Sequence, residues 1–190
     1  MCGGATVWNT LRKYGLSSTS TVGILGVGGL GHLAIQCASG MGMKVVVLST
    51  TDKKKEEALS MGASDFIVTQ DKKKIDIGSS KLDALLVTSS VQIEWDSYLP
   101  LLNPQSIIIP LTVHFGNFSV PQFPLLAAGI RVQGTVITSR SEMNNMLALT
   151  ARTDVRPRIM SFPLNKNGNE DSIKILSKRK MRYRGVLVAE

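Results

Sequence analysis

The sequence predicts an α/β chain built on a doubly wound parallel sheet of about six strands. Three observations carry that prediction. Thr21–Gly31 reads TVGILGVGGLG: an apolar strand run closes on Gly26, Gly28 and Gly31, and a helical pattern follows at once. Lys44–Ser49 reads KVVVLS, a β-branched run with little alternation, which suits a strand buried on both faces. Strand and helix patterns then alternate as far as Ala151, the order that lays helices on a parallel sheet.

The elements follow in order. Val7, Trp8, Leu11 and Tyr14 form an apolar helical stripe ahead of Gly15, a helix stop. Ser17–Ser20 is a polar link into the first strand, Val22–Leu25. Lys53–Met61 is a charged helix, with Thr50, Thr51 and Asp52 offering start chemistry and Gly62 ending it. Asp65–Val68 is a third strand and Leu82–Thr88 a fourth. The polar Thr69–Ser80 stretch, with Lys72, Lys73 and Lys74, leaves room for a short surface helix. Val91–Leu102 reads as a helix, stopped or kinked at Pro100. Asn103-Pro104 marks a turn and Ser106–Ile109 a fifth strand. Leu125–Ala128 is helical before Gly129, and Arg131–Thr138 is a sixth strand. Ser141 is placed to cap a last helix, Glu142–Ala151. Beyond it, strands over Arg158–Pro163 and Arg182–Ala189 flank a polar turn, Asn165–Asn169, and a turn or two of helix at Ser172–Leu176. These pieces do not belong to the parallel sheet.

Composition narrows the classes. The 190 residues fit one domain with appendages, and 43% hydrophobic content supports a sizeable core. Lys and Arg number 22 against 14 acidic residues, a net charge of +8. Nucleic acid, an anionic surface or a phosphate-rich cofactor would each suit that excess. Aromatics are only 5%, without the interleaving of an RNA surface, and no zinc-finger spacing occurs, so nucleic acid is not expected. The apolar runs are short and interrupted, so no membrane span is expected. Cys2 and Cys37 make no disulfide framework, and no basic-then-apolar leader is seen. The expected location is intracellular, in the cytoplasm.

The glycine turn is the leading candidate site. Gly26 permits a tight turn, a missing side chain at Gly28 lets a pyrophosphate approach, and one at Gly31 lets the helix sit close to the sheet. Free N–H groups over Gly26, Val27, Gly28, Gly29, Leu30 and Gly31 would hold the phosphates of a dinucleotide. The bland alternative is a glycine-rich turn with no ligand. The second strand ends in Ser49, Thr50 and Thr51, followed by Asp52, Lys53 and Lys54. An NAD site places a carboxylate at that end, whereas hydroxyls and ammonium groups suit the 2′-phosphate of NADP. Asp52 is the counter-observation, and it is read as a helix cap. His32, on the first turn of the helix, reads as a packed or exposed helix residue rather than a phosphate ligand. His114 has no catalytic partner near it in sequence, and Lys178-Arg179-Lys180 reads as a solvated face.

Residues 2–12 (CGGATVWNTLR), 26–31 (GVGGLG), 48–63 (LSTTDKKKEEALSMGA) and 181–187 (MRYRGVL) together resemble the zinc-dependent medium-chain alcohol dehydrogenases, nearest the cinnamyl alcohol dehydrogenase branch. The resemblance implies a two-domain oxidoreductase that reduces aldehydes with NADPH at a catalytic zinc. It aligns Cys2 with one zinc ligand; the other ligands would lie in a domain this chain does not contain. It implies no catalytic residue within this chain. It also implies that residues 1–17 are a linking helix of the catalytic domain, 18–154 the NADP-binding domain, and 155–190 a second remnant of the catalytic domain. Apolar faces at both ends would then be left without their partner. Thr88, Leu111, Thr135, Val136 and Ile137 would line the nicotinamide side, with Leu111 standing where relatives often have glycine, beside Pro110. Arg182 and Arg184 would serve packing or lie near the cofactor. Residues 131–138 would pair two copies edge to edge, a homodimer that an exposed strand edge also favours. Two functional readings follow: the NADP-holding portion of an alcohol or aldehyde oxidoreductase, incomplete for catalysis by itself, or a non-catalytic nucleotide-binding or interaction module on the same fold.

Overall fold

A computed structural model describes residues 2–70, 75–78, 81–90, 92–178 and 180–189. Lys72, Lys73, Lys74, Ser80 and Arg179 lie outside the described residues. The chain divides into two compact units, residues 1–155 and residues 156–190.

The first unit carries α1 (Cys2–Lys13), β1 (Thr21–Leu25), α2 (Gly31–Gly40), β2 (Lys44–Ser49), α3 (Lys55–Ser60), β3 (Asp65–Val68), β4 (Leu82–Val87), α4 (Trp95–Tyr98), β5 (Leu102–Pro110), α5 (Gln122–Ala128), β6 (Arg131–Val132) and α6 (Arg140–Thr153). A 3-10 turn, Leu99–Leu101, follows α4. The six strands form one sheet in the order β3-β2-β1-β4-β5-β6, every pair parallel. This is the doubly wound order, in which the chain leaves β1 first toward one edge and then toward the other.

Alternation along the strands sorts two cores. Leu25, Val46, Leu48, Leu85, Val87 and Ile108 join one apolar cluster with Trp95, Tyr98 and Ile130. Their strand neighbours Ile24, Val45, Val47, Leu86, Ile107 and Ile109 are also buried, and the strand period places them on the opposite face. Every residue of β1 is buried, as suits the centre of a sheet covered on both sides. Leu25 at its end is registered with Leu48 on one side and Val87 on the other. The crevice above Leu25 is therefore the point where the winding reverses.

Several elements differ from the sequence expectations, each for a local reason. The first helix keeps its apolar stripe covered: Val7, Trp8 and Leu11 are buried, with α1 packed on α2 and α6. The expected strand 131–138 stops at Val132; Gln133 gives one more ladder bond to Ile108 O (2.9 Å), and the chain then turns away to meet α1. The expected helix 91–102 shrinks to α4 and its 3-10 turn, with Pro100 inside the turn. The Asn103-Pro104 turn is absorbed into β5 as a register irregularity, with Gln105 at φ +62°. Helix α5 begins earlier than expected because Pro124 falls in its first turn, where no intrahelical N–H bond is needed. Ser139, not Ser141, caps α6, its side chain accepting from the Glu142 N–H. Helix α3 has no side-chain cap; Asp52 contributes only its main-chain carbonyl, to the Lys55 N–H at 2.8 Å.

The second unit is β7 (Ile159–Pro163), α7 (Lys166–Ser177) and β8 (Arg184–Val188), with the two strands parallel. The expected polar turn at 165–169 is instead the start of α7: the Asn165 side chain accepts from the Gly168 N–H at 2.9 Å. Gly168 must be glycine, since a Cβ there would collide with the Pro163 carbonyl. Ile159, Leu164, Ile173, Leu176, Val186, Leu187 and Val188 of this unit are exposed.

Candidate functional site at the head of the central strand

The site begins where β1 ends. The Gly26 N–H donates to Leu48 O (2.8 Å), carrying the ladder one residue past the strand. Gly26 then turns at φ +98°, a conformation that strains other residues. A Cβ at Gly31 would collide with the Gly26 carbonyl and lie 2.9 Å from Thr88 Oγ1, so only glycine lets α2 start so close to the sheet. At Gly28 a Cβ would meet no atom within 4 Å. The same residue type thus serves contact at Gly31 and open space at Gly28.

The main chain of the turn is asymmetric. Thr88 Oγ1 lies 2.7 Å from the Gly26 carbonyl and 3.0 Å from that of Leu25. The Lys54 ammonium donates to the Val27 carbonyl at 2.6 Å. The Gly28 carbonyl accepts from the His32 N–H (3.1 Å), and its only role toward His32 Nδ1, at 3.0 Å, is again to accept. Among the described residues, the N–H groups of Val27, Gly28 and Gly29 bond to nothing in the chain. They stand ahead of the ten-residue helix α2, whose positive end adds to their pull on an anion.

The other expected residues fall into three places. Ser49 closes β2, half-buried, while Thr50, Thr51, Asp52 and Lys53 are exposed in the link to α3. Thr88 is buried, and its N–H also bonds Leu25 O at 3.0 Å, so it fastens β4 to the turn. Thr135, Val136 and Ile137 lie off the strand, against α1. Asn9 Nδ2 donates to Val136 O (3.0 Å) and reaches Thr135 Oγ1 (3.4 Å), Thr138 Oγ1 donates to Asn9 Oδ1 (3.3 Å), and the Tyr14 hydroxyl donates to Gly134 O (3.1 Å). Asn9 was not legible as a site residue; its sole signal was a polar side chain on an otherwise apolar helix. Leu111 is buried, and its N–H is tied to Val87 O at 2.9 Å.

A cleft of about 500 Å3 opens at the ends of β4 and β5, with Ser89, Gln92, Trp95, Thr112, His114 and Phe118 among its walls. The Thr112 hydroxyl donates to Ser89 O (3.0 Å), and Trp95 meets Phe118 edge to face at 5.2 Å. His114 Nδ1 accepts the Gly116 N–H at 3.0 Å, a bond local to its own loop. His32 is fully buried, as a packed helix residue. Burial in α2 pushes the Cys37 thiol up to about 12.

Cys2 is exposed at the start of α1. Among the described residues no three His, Cys, Asp or Glu side chains gather where a metal ion could sit. The residues present therefore do not build a zinc site around Cys2. Among the described residues, too, no helix is long and apolar enough to cross a membrane.

Against known proteins, the profile of the zinc-binding dehydrogenases matches residues 29–152. The chain belongs to the zinc-binding dehydrogenase family. This zinc-binding dehydrogenase chain is 36% identical over 159 residues to NADP-dependent alcohol dehydrogenase C 1 of Mycolicibacterium smegmatis, covering 84% of itself and 46% of that protein. It is 31% identical to cinnamyl alcohol dehydrogenase 2 of Rauvolfia serpentina, covering 98% of itself and 52% of the relative. Among solved structures it resembles a cinnamyl alcohol dehydrogenase of Sorghum bicolor, with a TM-score of 0.88 at 29% identity, over 98% of this chain and 53% of that one. It also resembles the Helicobacter pylori enzyme complexed with NADP(H), with a TM-score of 0.82 at 26% identity, over 98% and 52%. The chain spans about half the length of the curated relatives it matches.

Proposed function

We propose that this chain is the NADP(H)-holding portion of an alcohol or aldehyde oxidoreductase of the cinnamyl alcohol dehydrogenase type, and that by itself it does not complete the catalytic centre. The observation that carries the proposal is the glycine turn. Three N–H groups with no partner among the described residues, an open space at Gly28 and the start of α2 meet above the central strand, an arrangement suited to a pyrophosphate. Gly26–Gly31 would hold the phosphates. Ser49, Thr50, Thr51, Lys53 and Lys54 would face the 2′-phosphate, and no carboxylate interrupts Ser49–Thr51 at the end of β2. Thr88 fixes the turn, and Thr135, Val136 and Ile137 would flank the nicotinamide end. NADPH, when bound, supplies a hydride.

This reading treats residues 1–17 and 155–190 as parts that serve a catalytic domain, Cys2 as a single zinc ligand of a set completed elsewhere, and the setting as cytoplasmic. Pairing of two copies along residues 131–138 draws support from exposed Val132 on the edge strand alone, since residues 134–138 bond to α1; sedimentation would test it. A non-catalytic nucleotide-binding module is the second reading. It is favoured by Leu111, buried beside Pro110 at a position where the resemblance implies glycine.

The test is titration of the full chain with NADPH and NADH, followed by calorimetry or nicotinamide fluorescence. Binding of both with NADPH preferred is expected; binding of neither overturns the proposal. Reduction of an aldehyde by the zinc-loaded chain alone would overturn the claim that its centre is incomplete.

A further inference from the structure

Building on the dinucleotide reading, we infer that Lys54 is a positioning residue for the phosphate turn, acting through the Val27–Gly28 peptide and not only as a partner for a 2′-phosphate. Three successive carbonyls of the turn are each held by a donor from a different element. Thr88 beyond β4 holds Gly26 O, Lys54 before α3 holds Val27 O, and His32 in α2 holds Gly28 O. A trans peptide is planar, with its C=O and the next N–H pointing in opposite directions. Fixing each carbonyl therefore fixes the direction of the following N–H, which belongs to Val27, Gly28 and Gly29 in turn. These are the N–H groups that bond to nothing in the chain, among the described residues.

Lys54 makes the shortest of the three contacts, 2.6 Å, and its donor is an ammonium group. Its carbonyl partner precedes Gly28, where the turn leaves open space. Without that hold, the Val27–Gly28 peptide is free to rotate and present its oxygen to the same space, where it would repel a phosphate. The ammonium thus supports the pyrophosphate contact from behind the turn. A ligand that lacks a 2′-phosphate therefore depends on Lys54 as well.

The experiment compares wild type, Lys54→Met, Lys54→Arg and Lys55→Met, each titrated with ADP-ribose, NADH and NADPH. Thermal unfolding verifies that each variant folds. Lys55 is the exposed neighbour and controls for charge alone. The expected result is that Lys54→Met weakens ADP-ribose and NADH by a factor of about ten or more, and NADPH by at least as much. Lys54→Arg restores much of the loss, and Lys55→Met leaves ADP-ribose binding unchanged. In ligand-free Lys54→Met the Gly28 amide resonance moves, while amides of β3 stay in place. A loss confined to NADPH, an unchanged ADP-ribose affinity, or an equal loss in Lys55→Met overturns the inference. Failure of the wild-type chain to bind any of the three ligands is instead failure of the dinucleotide reading itself.

Discussion

The Trp8 indole N–H donates to Glu142 Oε2 at 2.8 Å, fastening the first helix of the unit to the start of its last. Ser139 and Glu142 have capping-box spacing, and the Ser139 side chain accepts the Glu142 N–H at 3.3 Å. The Glu142 carboxylate reaches across to α1, where Arg12 also lies over the Trp8 ring at 5.6 Å.

That bond makes the α1–α6 junction acid-sensitive. The Trp8 hydrogen bond, with help from Asn145 and Arg12, holds the Glu142 carboxyl below its ordinary value of 4.5. A carboxylate whose folded value is depressed adds stability above its unfolded value, and that stability is lost as pH falls through the folded value. Wild type should therefore exceed Glu142→Gln in urea midpoint at neutral pH. The gap should close as pH is lowered below about 4.5. A gap independent of pH would refute the ionic part of this account.

Leu11, on the inner face of α1, is fully buried. Leu11→Ala should cost about 2–5 kcal/mol in urea unfolding, as for other large-to-small core changes. A loss under 1 kcal/mol, roughly the scale of an exposed site, would mean that α1 is not part of the core.

Gly28 and Gly31 should separate binding from stability. Gly31→Ala meets the Gly26 carbonyl and Thr88, and should lower stability by about 1–3 kcal/mol. Gly28→Ala meets nothing in the chain and should leave the melting temperature within a degree or two, roughly the effect of a neutral surface change. On the proposed dinucleotide reading, its methyl group would enter the space taken by a phosphate, so NADPH affinity should fall about tenfold or more. Equal effects of both variants on stability would contradict the geometry.

The two thiols should differ sharply in reactivity. Cys2 is exposed and should react with a disulfide reagent in the native chain, whereas Cys37 should react only on unfolding. Burial raises Cys37 from 9.0 to about 12, so its contribution to stability is intact below 9.0 and is lost as pH rises through about 12. Cys37→Ala should remove that component of alkaline unfolding. Two fast-reacting thiols in the native protein would contradict the burial of Cys37.

The sheet was legible because its signals are local. The β-branched run at Lys44–Ser49, the apolar run at Leu82–Val87 and the glycine spacing at 26–31 each state their own conformation. What failed to read were features set by distant partners. Arg131–Thr138 has the composition of a strand, but Asn9 and Tyr14 draw residues 134–138 off the sheet toward α1. Ser141 has cap chemistry, yet Ser139 has the Glu142 N–H within reach. Asn165–Asn169 is polar enough for a turn, and its Asn165 cap instead launches a helix. At the site, the glycines and Ser49–Lys54 could be named from spacing. The holds that Lys54 and His32 exert on turn carbonyls could not, because each depends on where a helix start comes to rest.

The place of β1 also sets an order on how this unit can be made. Its first neighbour, β2, follows soon after in the chain, but its second, β4, is followed by Thr88, whose hydroxyl reaches back 63 residues to Leu25. A nascent chain that has not yet released Thr88 carries a central strand with one open edge and a glycine turn whose Gly26 carbonyl is unlatched. Until β4 docks, a chain with only β1, β2 and β3 paired would present an apolar strand edge to its surroundings. If a dinucleotide binds the turn as proposed, it favours only the last stage of this fold, after the second half has closed on the first.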